Sequence, residues 1–196
     1  MKIKSFLSGL VFALLLAGCV EGPPSGNAPD LTFANFTPVN LNVASIEVRN
    51  DYKPPMREPN VEHLFKTPPY TSAENLVRKQ IVAAGTEHIL RVVIEEASVV
   101  REELPVTKGF WGKLTEEPSE RLKAKVSLRF ELVDVAAPDI ILGHAEVLAK
   151  RNKMLMEGIS LADRDRAYFS LTEDLMDDLN DGLMTVVKNT FGTPPG

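Results

Sequence analysis

Residues 122–132 alternate without a break. Leu122, Ala124, Val126, Leu128, Phe130 and Leu132 are apolar, and Lys123, Lys125, Ser127, Arg129 and Glu131 stand between them. Successive side chains of a β-strand point to opposite faces, so a strict period of two marks a strand with one buried and one wet face. A sheet that is apolar on one side must be covered there by another layer. The rest of the chain has to supply both the neighbouring strands and that cover.

Leu41 to Arg49 predicts a first strand, with Ala44, Ile46 and Val48 alternating against Ser45, Glu47 and Arg49. His88 to Arg101 predicts another, with Leu90, Val92 and Ile94 on one face and Arg91, Val93 and Glu95 on the other. After the Pro138-Asp139 turn, Ile141, Gly143, Ala145, Val147 and Ala149 line the inner face of a final strand. Two amphipathic helices provide the cover. The first is capped by Thr71 with Glu74 three residues on, carries the stripe Ala73, Leu76, Val77, Ile81 and Ala84, and stops at Gly85. The second, over about residues 161–190, is capped by Ser160 with Asp163 in capping-box position. Its stripe is Tyr168, Leu171, Leu175, Leu179, Leu183 and Val187, and Gly192 and Pro194-Pro195 end it. Prolines 54, 55, 59, 68 and 69 make the connection before the first helix extended. The expected fold class is α+β: a two-layer sandwich in the order β-α-β-β-β-α, with a mostly antiparallel sheet and two helices on one face. No internal repeat is visible.

The amino-terminal residues belong to a different economy. Lys2 and Lys4 precede an apolar run from Phe6 to Leu16, too short to span a bilayer comfortably, and the run ends Leu16-Ala17-Gly18-Cys19. Cys19 is the sole cysteine, so no intramolecular disulfide and no cysteine metal site can form. Leu-Ala-Gly-Cys resembles the lipobox of bacterial lipoproteins. That resemblance implies a thioether-linked diacylglycerol on Cys19, cleavage before it and acylation of the new amino terminus. Val20 is not the aspartate that retains such proteins at the inner membrane, which by the same resemblance implies the outer membrane, facing the periplasm. The expected organisation is a signal peptide over 1–18, a lipidated tether over 19–40 and a single α+β domain over 41–192. Gly22, Pro23, Pro24, Ser25, Gly26, Asn27 and Pro29 suit a flexible stalk, with a reach of roughly 25 Å for about twenty residues. Phe33 and Phe36 stand where it would meet the domain.

The formal charge is −5, and losing residues 1–18, which carry Lys2 and Lys4 but no acid, takes it to −7. A mildly acidic domain lacks the basic patch that phosphate contact needs, so nucleic acid is not an expected partner. His63, His88 and His144 have no second ligand at helical or hairpin spacing, and no metal or cofactor is expected. Gly158-Ile159-Ser160 only faintly resembles a nucleophile elbow, and Ser160 serves better as a cap. Asp174, Asp177, Asp178 and Asp181 break the spacing of a calcium loop and read as a solvated face. Scattered carboxylates such as Glu95 and Glu96 are the sole support for an envelope-polymer hydrolase, so no catalytic residue is assigned. The remaining signal is Lys108-Gly109-Phe110-Trp111-Gly112-Lys113, a hairpin tip with paired aromatics where polar residues are usual. Phe110, Trp111, Lys108 and Lys113 are the expected contact with a membrane interface or a protein partner.

The layout resembles small periplasmic lipoproteins that assist larger machines: the LPS-assembly lipoprotein, auxiliary lipoproteins of lipid-trafficking ABC transporters, and penicillin-binding-protein activators. Pro38-Val39-Asn40-Leu41 through Val61-Glu62-His63-Leu64-Phe65 resembles uncharacterised proteobacterial lipoproteins. The resemblance implies a non-enzymatic accessory protein, membrane-anchored through lipid, that binds a partner in envelope assembly or lipid transport. The alternative is a carrier of lipid or another amphiphile, for which Gly143, Ala145 and Ala149 would leave room between sheet and helices.

Overall fold

In the computed structural model, which describes residues 31–106 and 117–191, the alternating run forms the middle of strand β5 (Pro118–Val133). Leu122, Ala124, Val126, Leu128 and Phe130 are all buried. Lys123 is exposed, while Lys125, Ser127 and Arg129 are half-buried rather than free, because ion pairs cross that face. At the strand's end Leu132 is half-buried against the core, while Glu131, covered by Arg91 and Arg129, and Val133 are buried. The register with the next strand shifts there because that strand carries one extra residue, Leu142, between the partners of Leu132 and Val133.

The fold is α+β. β5 lies between β4 (Ile89–Glu103) and β6 (Ile141–Met156), antiparallel to both, and β2 (Ser45–Asn50) runs parallel to β4 at the far edge. A second, two-stranded parallel sheet pairs β1 (Val39–Leu41) with β3 (Ile81–Ala83). The expected first strand is thus two short ones, broken at 42–44. Gly85 lies against the break: a Cβ there would stand 2.2 Å from Asn42 Oδ1 and 2.6 Å from its carbonyl carbon. This glycine permits two backbones to touch and does not end a helix. Pairing begins at Val39, and Phe33 and Phe36 already pack against the core, so the end of the segment expected to be tether belongs to the fold.

Helix α1 (Pro69–Gln80) starts earlier than its expected cap. Pro69 occupies the first turn, where the missing N–H costs nothing, and Thr71 lies inside the helix. Glu74 pairs with Arg78 one turn on instead of closing a capping box. Ile81 and Ala84 follow the helix and are not part of its stripe. Helix α2 (Leu161–Val186) matches its expected start: the Asp163 N–H donates to Ser160 Oγ at 3.1 Å. Tyr168, Leu171, Leu175, Leu179 and Leu183 are buried, as is Val187 in the π-helical turn Val187–Phe191 that follows. α2 lies on β6 and β5, α1 on β4 and β2, and the helices touch each other.

The layers are in contact at β6. A Cβ on Gly182 of α2 would stand 2.5 Å from Val147 Cγ1, so only glycine lets the helix approach this closely. Ala149 is buried, whereas Gly143 and Ala145 are half-buried and Ile141 is exposed, contrary to a fully lined inner face. Gly182→Ala is expected to cost about 1–3 kcal/mol through overpacking. Denaturant unfolding would measure it, and recovery in a Gly182→Ala, Val147→Ala double substitution would place the strain at this contact.

Candidate interaction surface: the open sheet face

Among the described residues, both helices lie on one side of the four-stranded sheet, and the chemistry of the other face follows from the polar half of each alternation. β4, β5 and β6 have 15, 16 and 16 residues, or about 50 Å each. The face is laced by cross-strand ion pairs. Arg91 of β4 reaches Glu47 of β2 at 3.2 Å and Glu131 of β5 at 3.5 Å, and Arg129 bonds Glu95 at 2.6 Å as well as Glu131. Farther along, Lys125 meets Glu96 at 2.5 Å, and Glu102 receives Lys123 at 2.9 Å and Arg121 at 3.3 Å. Val93 is fully buried on this face. Its cross-strand neighbours are Arg49 and Arg129, and long basic side chains cover apolar surface with their stems while the charge stays wet.

A β-bulge makes part of this pattern. The β4–β5 register shifts between Ile94 and Glu96, so two consecutive glutamates address the same face, Glu95 to Arg129 and Glu96 to Lys125. These carboxylates are partners in a lattice of charge. Burial works against ionisation of Glu96, but hydrogen bonds from Lys125 and Ser98 and the charges of Lys125 and Lys150 outweigh it and hold its pKa below the ordinary value. The Lys123 hydrogen bond and charge, with Arg121, do the same for Glu102.

A second polar cluster secures the edge of β4 beyond the end of β2. The proline-rich segment is ordered there: the Val61 N–H donates to Val99 O at 2.9 Å, and the Arg101 N–H to Pro59 O at 2.8 Å. Glu62, in the 3-10 turn Glu62–Leu64, is fully buried. Its carboxyl accepts from the Tyr52 hydroxyl at 2.6 Å, the Val99 N–H at 3.2 Å and Asn60 Nδ2 at 3.3 Å. Burial, and then the Glu62 carboxyl beside it, pushes the Tyr52 phenol well above its usual pKa. No sequence signal marked Glu62, because its backbone partner lies 37 residues away. Phe65 from the same segment stacks on Tyr168 of α2, centroids 4.2 Å apart.

Cys19, Lys108, Phe110, Trp111 and Lys113 lie outside the described residues; the strands leading to that tip stay paired to Glu103 and Glu120. His144 is exposed on β6 opposite Glu131 in register, His63 sits in the 3-10 turn, and His88, just before β4, has a φ of 62°. Among the described residues no three His, Cys, Asp or Glu side chains gather as metal ligands, and no helix is long and apolar enough to cross a membrane. Asp178 of the acidic run is bonded to Arg151. Asp177 lines a pocket of about 80 Å³ with Phe33, Phe36 and Met176, where burial, then Asp174, Asp181 and Asp178, raise its pKa. Ligand pockets are usually several hundred Å³.

The acidic groups set a pH dependence. Arg164 clasps Glu120 through two bonds of 2.7 Å and lowers its pKa, and Ser160 with Arg166 lowers that of Asp163. A carboxylate depressed in the folded state adds stability above its unfolded value and loses it as pH falls through the folded one. Glu96, Glu102, Glu120 and Asp163 all act in that direction, while Asp177, raised, acts the other way. Stability is therefore expected to fall as pH drops below about 4.5. Glu120→Gln should cost about 1–2 kcal/mol at neutral pH, and the cost should shrink as pH falls through the depressed pKa of Glu120. Melting curves at several pH values would test this, and an equal cost at both ends would refute it.

No protein-family profile matches the chain, and no curated protein matches it. Several solved structures are similar in outline. A homolog of a neuraminyllactose-binding hemagglutinin from Helicobacter pylori is 12% identical over 79% of this chain and 91% of its own, with a TM-score of 0.43. A minor lipoprotein from Acinetobacter baumannii is 12% identical over 80% and 99%, with a TM-score of 0.40. Rare lipoprotein B from Shewanella oneidensis is 13% identical over 74% and 94%, with a TM-score of 0.39. At these scores no residue role passes from those proteins to this one.

Proposed function

We propose that this chain is a non-enzymatic accessory lipoprotein, held through acylated Cys19 on the periplasmic face of the outer membrane, that docks a protein partner in envelope assembly or lipid transport. The observation that carries the reading is the lipobox-like Leu16-Ala17-Gly18-Cys19 ahead of a domain with one broad, charge-laced sheet face that no helix covers among the described residues. Such a face has ordered ion pairs to exchange with a partner, and electrostatic complementarity of that kind sets specificity and encounter rate. The long β4–β5 arm leads to the segment holding Phe110 and Trp111, which together with Lys108 and Lys113 forms the second contact in this reading.

Metabolic labelling with a fatty acid tests the anchor. Cys19→Ala is expected to abolish the label and leave unprocessed precursor; a mutant still labelled would show that Cys19 is not the acylated residue. Phe110→Ser with Trp111→Ser is expected to leave the melting temperature nearly unchanged and to reduce recovery of cross-linked envelope partners. A large loss of stability would instead assign the two rings to the core.

A further inference from the structure

β6 ends the four-stranded sheet, and among the described residues no strand pairs with its outer edge. A free edge of 16 residues presents a row of unpaired N–H and C=O groups, which proteins commonly guard with charges or cover with another strand. Leu142, Leu148 and Met154 are 49%, 52% and 45% exposed, Leu148 and Met154 on its open-face side and Leu142 at the register shift with β5. They recur at equal intervals, with Leu148 at the centre. Between them lie charges of opposite sign, Glu146 before Leu148 and Lys150 after it.

We propose that this edge pairs antiparallel with β6 of a second copy of the chain, on a two-fold axis at Leu148, joining two four-stranded sheets into one. An antiparallel dyad at Leu148 sets each residue opposite the one equally far on the other side. Leu148 then faces its own mate, Glu146 faces Lys150 twice, and Leu142 faces Met154 twice. Cross-strand pairs of opposite charge and of apolar residues are the favourable ones, and like charges directly opposite are not. The helix-side face matches in size. Arg151 falls opposite Ala145, and Lys153 opposite Gly143, beside which a Cβ would meet nothing within 4 Å. A merely protective edge would need charges but not this order. The order, antisymmetric in charge and symmetric in apolar residues, suits a strand that meets itself, and a closed two-fold contact uses the same patch on both copies. The opposing influence is the acidic flank of α2, which pairing brings near its mate; Arg151, already bonded to Asp178, lies along the seam to offset it.

Disulfide trapping tests the register. The full-length chain carrying Cys19→Ser has no other cysteine, so the test does not depend on the anchor reading. In that background Leu148→Cys is expected to form a disulfide-linked dimer under mild oxidation. Glu146→Cys alone and Lys150→Cys alone should not, because each residue lies about 14 Å along the strand from its own mate, beyond disulfide reach. Mixing those two variants should link one to the other. Within the Leu148→Cys background, Glu146→Lys or Lys150→Glu should lower the yield several-fold, and both together should restore it. A monomer with Leu148→Cys, equal cross-linking at all three positions, or capture of a different protein by Leu148→Cys in an envelope fraction would overturn the proposal.

Discussion

Phe130→Ala is expected to cost about 3–5 kcal/mol, the usual price of deleting a fully buried aromatic ring. Phe130 has no exposed surface and sits in the central strand, with Val92 of β4 and Ala145 of β6 as its cross-strand neighbours. One neighbour is an alanine, so little side-chain volume is at hand to close the cavity left behind. The ring takes no part in the charged face, so the loss should appear in denaturant unfolding with the midpoint shifted and the slope unchanged. Arg129→Ala, one residue along on the open face, should cost much less. If Phe130→Ala lost under 1 kcal/mol, the assignment of faces along β5 would be wrong.

Glu62→Ala should be the most damaging single change to a polar group. It strips a fully buried acceptor from the Tyr52 hydroxyl, the Val99 N–H and Asn60 together. The buried Val99 N–H left without a partner costs about 1–3 kcal/mol, and the half-buried Tyr52 and Asn60 donors add less because water can reach them, so a loss of about 3 kcal/mol is expected. Glu62→Gln keeps one acceptor and should lose less. A double-mutant cycle with Tyr52→Phe should show coupling, since the two side chains are bonded at 2.6 Å. Hydrogen exchange would locate the effect, with protection lost first at Val99 and Arg101 where the proline-rich segment holds β4. A Glu62→Ala protein within 0.5 kcal/mol of wild type would show that the segment is dispensable to the edge.

The candidate surface was legible only in part. Alternation in 122–132 and 88–101 identified Arg91, Arg129 and their neighbours as solvent-facing, which is what places them on the open face. It did not show that they would be paired, because pairing depends on which strands lie side by side. Glu96 was invisible as a surface residue, since strict alternation from Leu90 through Ile94 assigns it to the core; the bulge after Ile94 changes its side. Glu62 sat in a proline-rich stretch whose composition describes stiffness and says nothing about burial.

Local patterns were enough for the elements whose stabilising contacts repeat along their own length. The β5 alternation, the α2 stripe from Tyr168 to Val187 and the Ser160 cap all appear where the residues place them, because each is a periodic or adjacent interaction. The α+β class follows from the same patterns, since an amphipathic sheet and two amphipathic helices have one economical way to bury their apolar sides. The tertiary structure decided everything that rests on contact between distant segments. Gly85 reads locally as a helix stop, yet it is the close approach of Asn42 that requires it. Gly182 reads as a weak point in α2, yet Val147 of β6 occupies the space where its side chain would be. Thr71 and Glu74 have the spacing of a cap, but the two preceding prolines begin the helix first. In each case the residue type was visible and the neighbour that gave it meaning was not, because that neighbour is set by how the layers pack.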